Sequence, residues 1–317
     1  MPSDEKDHAS TGAWRFGHLG ETQVLVSPGL IVMGIVLVVA AAPWFESSSE
    51  RPYLLAVVFA LGLYASVFVH ELAHVATARG FGMRVPSVTL HMLGGETAIE
   101  GESRSPWQEL VTAGSGPLAS AVIGLLALWG ADTTSGATSD VLWAFGWVNV
   151  LVAAFNALPG LPLDGGRVFR AIVWLVTGDE GRGVVWAAWL GRLTAVVVMA
   201  YVLLRDDAFE RRHLVDIALA ALVAFFLWSG ASTALRFGRR TARVRSLSVA
   251  RLVDRSDTSA HEVAPDLPAL PLDLEGAALL RAMAARPAES YVVTDATGDV
   301  VGILHSRRVD DAYREAT

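Results

Sequence analysis

No cysteine occurs anywhere in the chain. Disulfides, thiolate zinc sites and a cysteine nucleophile are therefore excluded, and any metal must be held by histidine and carboxylate. Charge is scarce too: Asp, Glu, Lys and Arg make up 18% of the residues, against roughly 25% in soluble domains. The net charge of -7 is modest, and the only basic run is the short arginine cluster from Arg236 to Arg245. Nothing resembles a surface that tracks phosphates, which argues against a nucleic-acid partner. Apolar length takes the place of charge. Hydrophobic residues are 53% of the chain and the mean hydropathy is +0.43, which assigns most of it to a lipid bilayer.

Stretches of spanning length run from Val24 to Ala42, Tyr53 to Ala78, Leu110 to Gly130, Val141 to Leu163, Val184 to Leu204 and His213 to Phe237. The expected fold is thus an α-helical polytopic membrane protein with about six transmembrane helices. The first stretch also has the outline of a cleaved leader, since Ala40-Ala41-Ala42 follows an apolar core, but its length favours a span. Lys6 and Arg15, then Arg79, Arg84 and Arg104, then Arg167, Arg170 and Arg182, and finally the Arg236–Arg245 cluster fall on one side. The positive-inside rule makes that side the cytoplasm, with both termini there, although Arg205, Arg211 and Arg212 fall on the other. Segment 1–23 is then a cytoplasmic lead-in, 24–240 a six-helix membrane domain and 241–317 a separate domain.

Inside the second span lies His70-Glu71-Leu72-Ala73-His74, an H-E-x-x-H pattern. On a helix the two imidazoles share a face and can reach one Zn²⁺, while Glu71, one step round, can take a proton from an attacking water. Two histidines and a glutamate are expensive to hold in a lipid-spanning helix and are functional by default. A second pattern, Asn156-Ala157-Leu158-Pro159-Gly160-Leu161-Pro162-Leu163-Asp164-Gly165-Gly166, breaks the fourth span with two prolines and three glycines. Irregular backbone at membrane depth must be buried in protein or line a watery cavity. Asp164 can then supply a third ligand, giving a His₂-carboxylate site with one tetrahedral position open for water. The alternative is an ordinary turn in which Asp164 caps a helix beginning near Arg167.

With these two motifs in this order and separation, the stretch from Tyr53 to about Arg170 resembles the site-2 protease family of intramembrane zinc metalloproteases. The resemblance implies that His70, His74 and Asp164 bind one zinc per chain and that Glu71 is the general base. It implies that Asn156 holds the substrate carbonyl or its oxyanion, a role that competes with an ordinary hydrogen bond between membrane helices. Ser120 stands where the family often carries Asn and receives no function. Gly114-Ser115-Gly116-Pro117 reads as a packing feature of the third span.

Between the second and third spans, Val85 to Glu100 alternates weakly and turns at Gly94-Gly95, reading as a small membrane-associated β-hairpin. Its edge can pair with an extended peptide; the alternative is a surface loop. His91 within it is expected to be a surface or packing residue. The loop from Ala131 to Asp140 is too short for the PDZ domain that some relatives insert there.

After Arg245 a helix over Leu274–Arg286, strands at Tyr291–Thr294 and Val300–Leu304 and a closing helix near Val309–Arg314 predict a small α/β domain, which resembles one CBS-type module. Nucleotide binding there is doubtful, because His305 and Arg308 follow Gly302 where a nucleotide-binding module tends to carry Thr or Ser and then Asp. A lone module is expected to pair in a homodimer through an exposed apolar face. The expected activity is cleavage of the membrane segments of single-span proteins at the cell membrane. The alternative is a non-catalytic zinc-binding scaffold or receptor regulated by the C-terminal module.

Overall fold

The computed structural model describes residues 12–92, 94–101, 103–205, 214–255 and 267–315, which form two compact units, Met1–Ala231 and Ser232–Thr317. Lys6, Arg211, Arg212 and most of the Pro- and Asp-bearing stretch after Arg245 lie outside the described residues.

The first unit begins with two strands, β1 (Trp14–Leu19) and β2 (Thr22–Val26), where the sequence predicted lead-in and the start of a span. Val24 and Val26 are apolar, and an apolar run alone does not separate a strand from a helix. Here Thr22 and Val24 are buried against a neighbouring strand, and Pro28 starts the helix α1 (Gly29–Ala41) only afterwards. That helix has 13 residues and continues as a four-residue 3₁₀ turn to Phe45, at the short end of what can cross a bilayer. Five other helices among the described residues are long and apolar enough to span: α2 (Pro52–Gly80), α3 (Pro106–Asp132), α4 (Ala137–Asn156), α6 (Glu180–Leu203) and α7 (Leu214–Ser246). By length and composition, five such helices are those of a multi-pass membrane protein. The fourth stretch ends seven residues early, at Asn156. A separate amphipathic helix, α5 (Asp164–Thr177), begins after the Pro-Gly segment.

The expected hairpin is half of a four-stranded sheet in the order β1-β2-β3-β4, with β3 at Arg84–His91 and β4 at Gly94–Glu100. β2 runs parallel to β3, pairing Val24 with Val88, and β3 runs antiparallel to β4. Thr22 donates to the Val85 carbonyl, and Arg79 at the end of α2 donates to both Thr22 and the Leu19 carbonyl, fixing the sheet to that helix. The turn comes before Gly94, so Gly94 and Gly95 are part of β4 rather than its turn. His91 lies 3.4 Å from Glu96 and, among the described residues, joins no group that could hold a metal.

In the second unit a three-stranded sheet has the order β5-β6-β7 (Ala269–Pro271, Ser290–Thr294, Val300–His305), and helices at Gly276–Ala285 and Ser306–Glu315 pack beside it. Leu247, Val249, Leu279, Tyr291, Val293, Leu304 and Val309 form its core. The turn after β6 is closed by Asp295, whose carboxyl the Thr297 hydroxyl holds below its ordinary pKa. Arg308 is paired to Asp254 at 2.8 Å and His305 to Ser290 at 2.9 Å. Among the described residues of this unit beyond Phe237, no large apolar side chain is exposed.

Candidate metal centre

α2 presents His70 and His74 on one buried face. Their Nε2 atoms are 3.3 Å apart, and Asp164 Oδ2 lies 3.1 Å from the first and 3.3 Å from the second. Tetrahedral ligands at ordinary zinc bond lengths are separated by about 3.3–3.6 Å, so the three atoms are spaced as one face of a zinc tetrahedron. Protons are directed away from that face. His74 Nδ1 is 2.7 Å from the Thr112 carbonyl; a carbonyl only accepts, so Nδ1 carries the hydrogen and Nε2 offers a lone pair. His70 Nδ1 lies 2.9 Å from the Ser120 hydroxyl, which can accept in the same way. Two imidazole lone pairs and a carboxylate oxygen converging on one point suit a divalent cation. On the far side is Gly116 of α3, where a β-carbon would run into both Nε2 atoms. Gly116 is therefore part of the cradle and more than the packing residue predicted.

Asp164 reaches this point because the segment before it cannot continue α4. Pro159, Gly160 and Pro162 turn the chain, and α5 starts at Asp164, where a carboxylate also suits the helix N-terminus. The irregular backbone is enclosed by protein: Leu161 donates to the Ala187 carbonyl of α6. Added β-carbons at Gly165, Gly166 and Gly191 would strike the backbone of residues 157–161. Buried backbone of this kind is the condition for irregular structure at membrane depth.

Glu71 is buried, and its Oε2 accepts a 2.6 Å hydrogen bond from Thr97 of β4. Gly95 leaves the room it occupies, since a β-carbon there would overlap the carboxylate. A cavity of about 560 Å³ opens here, lined by the His70–Glu71–His74 face, Gly94–Thr97 of β4, Asn156 and Asp164. Asn156 Nδ2 donates to the Val152 carbonyl of its own helix at 3.0 Å. An amide carries two N–H groups, so this bond leaves a donor available to the cavity.

Five contributors were missed. Ser120 was set aside for not being Asn, though its place three residues after Pro117 was the available signal. Thr97 had none. Glu109 stands just before the apolar stretch that starts at Leu110 and drew no reading; its carboxylate is buried and paired with Arg167 at 2.9 Å and Arg170 at 2.6 Å. Both arginines had been read as markers of the cytoplasmic side.

The sequence and fold are similar to known proteins. The model of Peptidase family M50 matches residues 58–138 and 130–200. A protein of Synechocystis sp., provisionally named a zinc metalloprotease, is 35% identical over 184 residues, covering 56% of this chain and 48% of its own. A protein of Mycobacterium tuberculosis, provisionally named zinc metalloprotease Rip3, is 33% identical over 257 residues, covering 80% of this chain and 62% of its own. The chain thus spans less than two thirds of the length of these relatives. The solved Site-2 Protease from Methanocaldococcus jannaschii shares the fold with a TM-score of 0.51 at 22% identity, over 71% of this chain and 95% of that one.

Proposed function

We propose that this chain, whose membership of peptidase family M50 is supported by sequence and whose fold is that of a site-2 protease, is an intramembrane zinc endopeptidase acting on single-span membrane proteins. One observation carries the reading: His70, His74 and Asp164 converge at tetrahedral spacing beside a buried Glu71, on a cavity among helices long enough to span a bilayer. His70, His74 and Asp164 would hold the ion. Bound there, zinc would polarise the scissile carbonyl and make water acidic enough to attack near neutral pH.

The protein's own groups do the rest. Glu71, fixed by Thr97, takes a proton from the attacking water and delivers it to the leaving amine. The Asn156 amide directs its second N–H to the carbonyl oxygen as negative charge develops there. β4 is an edge strand, and its residues Gly94–Thr97 line the cavity. A substrate helix must unwind before its backbone can be cut, and pairing of the unwound segment with β4 offsets that cost. The arginine distribution supports a cell-membrane protein oriented with both termini on the cytoplasmic side. Residues 241–317 would serve as a CBS-type regulatory module of the protease.

Reconstitution of the purified chain in lipid with a single-span substrate tests this reading. Two fragments divided within the membrane segment are expected by mass spectrometry, dependent on zinc and abolished by Glu71→Gln. An intact substrate with zinc-loaded protein would favour the scaffold instead.

A further inference from the structure

Glu109 has no part in the chemistry above, yet its side chain is 2% exposed. A carboxylate so buried must be paired. Arg167 Nε and Arg170 Nη2 meet the same oxygen, Oε1, at 2.9 and 2.6 Å, and the Ser103 hydroxyl donates to Oε2 at 2.6 Å. Two guanidinium charges against one carboxylate leave an excess positive charge. Asp164 balances it: Arg167 Nη1 lies 4.0 Å from Asp164 Oδ1. The two oxygens of Asp164 thus have different partners, with Oδ2 facing both histidines and Oδ1 facing Arg167.

The distance matters in both directions. At 4.0 Å the charges attract, but no hydrogen bond forms. A guanidinium free to move would tend to fork across both carboxylate oxygens and withdraw Oδ2 from the metal point. Glu109 prevents this by holding Arg167 at Nε. A carboxylate with no partner on its second oxygen has the opposite freedom, since it can bind a metal through both atoms. The second oxygen would then fill the position that a hydrolytic zinc site leaves open.

We propose that Arg167, braced by Glu109, confines Asp164 to binding metal through one oxygen and so keeps the fourth ligand position free for water. This rests on the zinc reading of the site. Arg167 is a positioning residue in this scheme, acting through Asp164.

The test is Co²⁺ substitution of the full-length protein in detergent, with visible absorption reporting coordination number. The wild-type protein should give the strong absorption of a four-coordinate site. Arg167→Gln should keep about one metal per chain, shift to the weaker absorption of a five-coordinate site, and lose roughly 10- to 100-fold in kcat with KM little changed. Glu109→Gln should free Arg167 to fork across Asp164 and so lower metal affinity, the opposite failure of the same device. A wild-type spectrum in Arg167→Gln, or wild-type affinity in Glu109→Gln, overturns the inference. Loss of metal from Arg167→Gln overturns it as well, because Arg167 would then only support the fold. Failure of the wild-type protein to bind Co²⁺ would bring down the zinc reading itself, before any variant is made.

Discussion

In the membrane unit the buried polar side chains His70, Glu71 and His74 line one cavity; buried Ser120 is hydrogen-bonded to His70, and buried Glu109 is paired with Arg167, which also lines it. The buried core of the C-terminal unit is Leu247, Val249, Leu279, Val293, Leu304 and Val309, with Tyr291. The surfaces are reversed as well. Leu61, Leu125, Trp129, Trp186, Val196 and Phe225 are exposed in the first unit, while beyond Phe237 the described residues of the second expose no large apolar side chain. Each unit follows from its solvent. Apolar side chains gain little by leaving lipid, so helix association rests on packing of small residues and on hydrogen bonds. This is why Gly116, Gly124, Gly146 and Gly191 lie at close contacts in the first unit. The second unit is held by removal of apolar surface from water. A cluster of buried polar groups therefore marks the candidate site in the first unit, and a buried apolar cluster marks folding in the second.

The largest expected effect that sharpens this contrast is at Asp164. Asp164→Ala should strip the site of most of its zinc, whereas Asp132→Ala, at the exposed end of α3, should not. Metal analysis after dialysis decides it, and equal occupancy in the two variants would return Asp164 to the role of a turn residue.

Next in size is a cut into the apolar core. Leu279 is fully buried, and Leu279→Ala should destabilise the C-terminal unit by about 2–5 kcal/mol. Faster hydrogen exchange at β6 and β7 is the readout. Zinc content and cleavage of a short peptide should stay at wild-type levels if the two units are as separate in energetics as they are in composition. A parallel loss of zinc would break the contrast.

The smallest effect is at Ser120. Ser120→Ala removes the partner of His70 Nδ1 and should cost roughly 10- to 100-fold in metal affinity or activity. Ser120→Asn keeps a group able to accept that hydrogen bond and should recover much of it. Competition with a chromophoric chelator measures the affinity directly.

What could be read beforehand divides along the same line. H-E-x-x-H is local, and a helix fixes its geometry, so His70, Glu71 and His74 were legible from spacing. Asp164 was legible because Pro159 and Pro162 announce a broken helix inside an apolar stretch. Ser120, Thr97 and the Glu109–Arg167 pair join elements 26 to 58 residues apart, and no local spacing encodes such meetings. The strand at Thr22–Val26 was lost for a related reason. Its partner β3 lies beyond the whole of α2, and hydropathy counts apolar residues without asking what they pair with. In the C-terminal unit, alternation and a Gly-bearing turn outlined β6 and β7, because a half-buried sheet in water imprints its period on the sequence.

The central claim, that zinc is held by His70, His74 and Asp164 while Glu71 moves the proton, is tested most directly by zinc content and single-turnover cleavage measured together in Glu71→Gln. The substitution keeps the shape of the side chain and leaves all three ligands. Zinc should remain at the wild-type level while the chemical step slows by about 10² to 10⁴. Cleavage at the wild-type rate with chemistry limiting, or loss of zinc together with activity, would contradict the assignment.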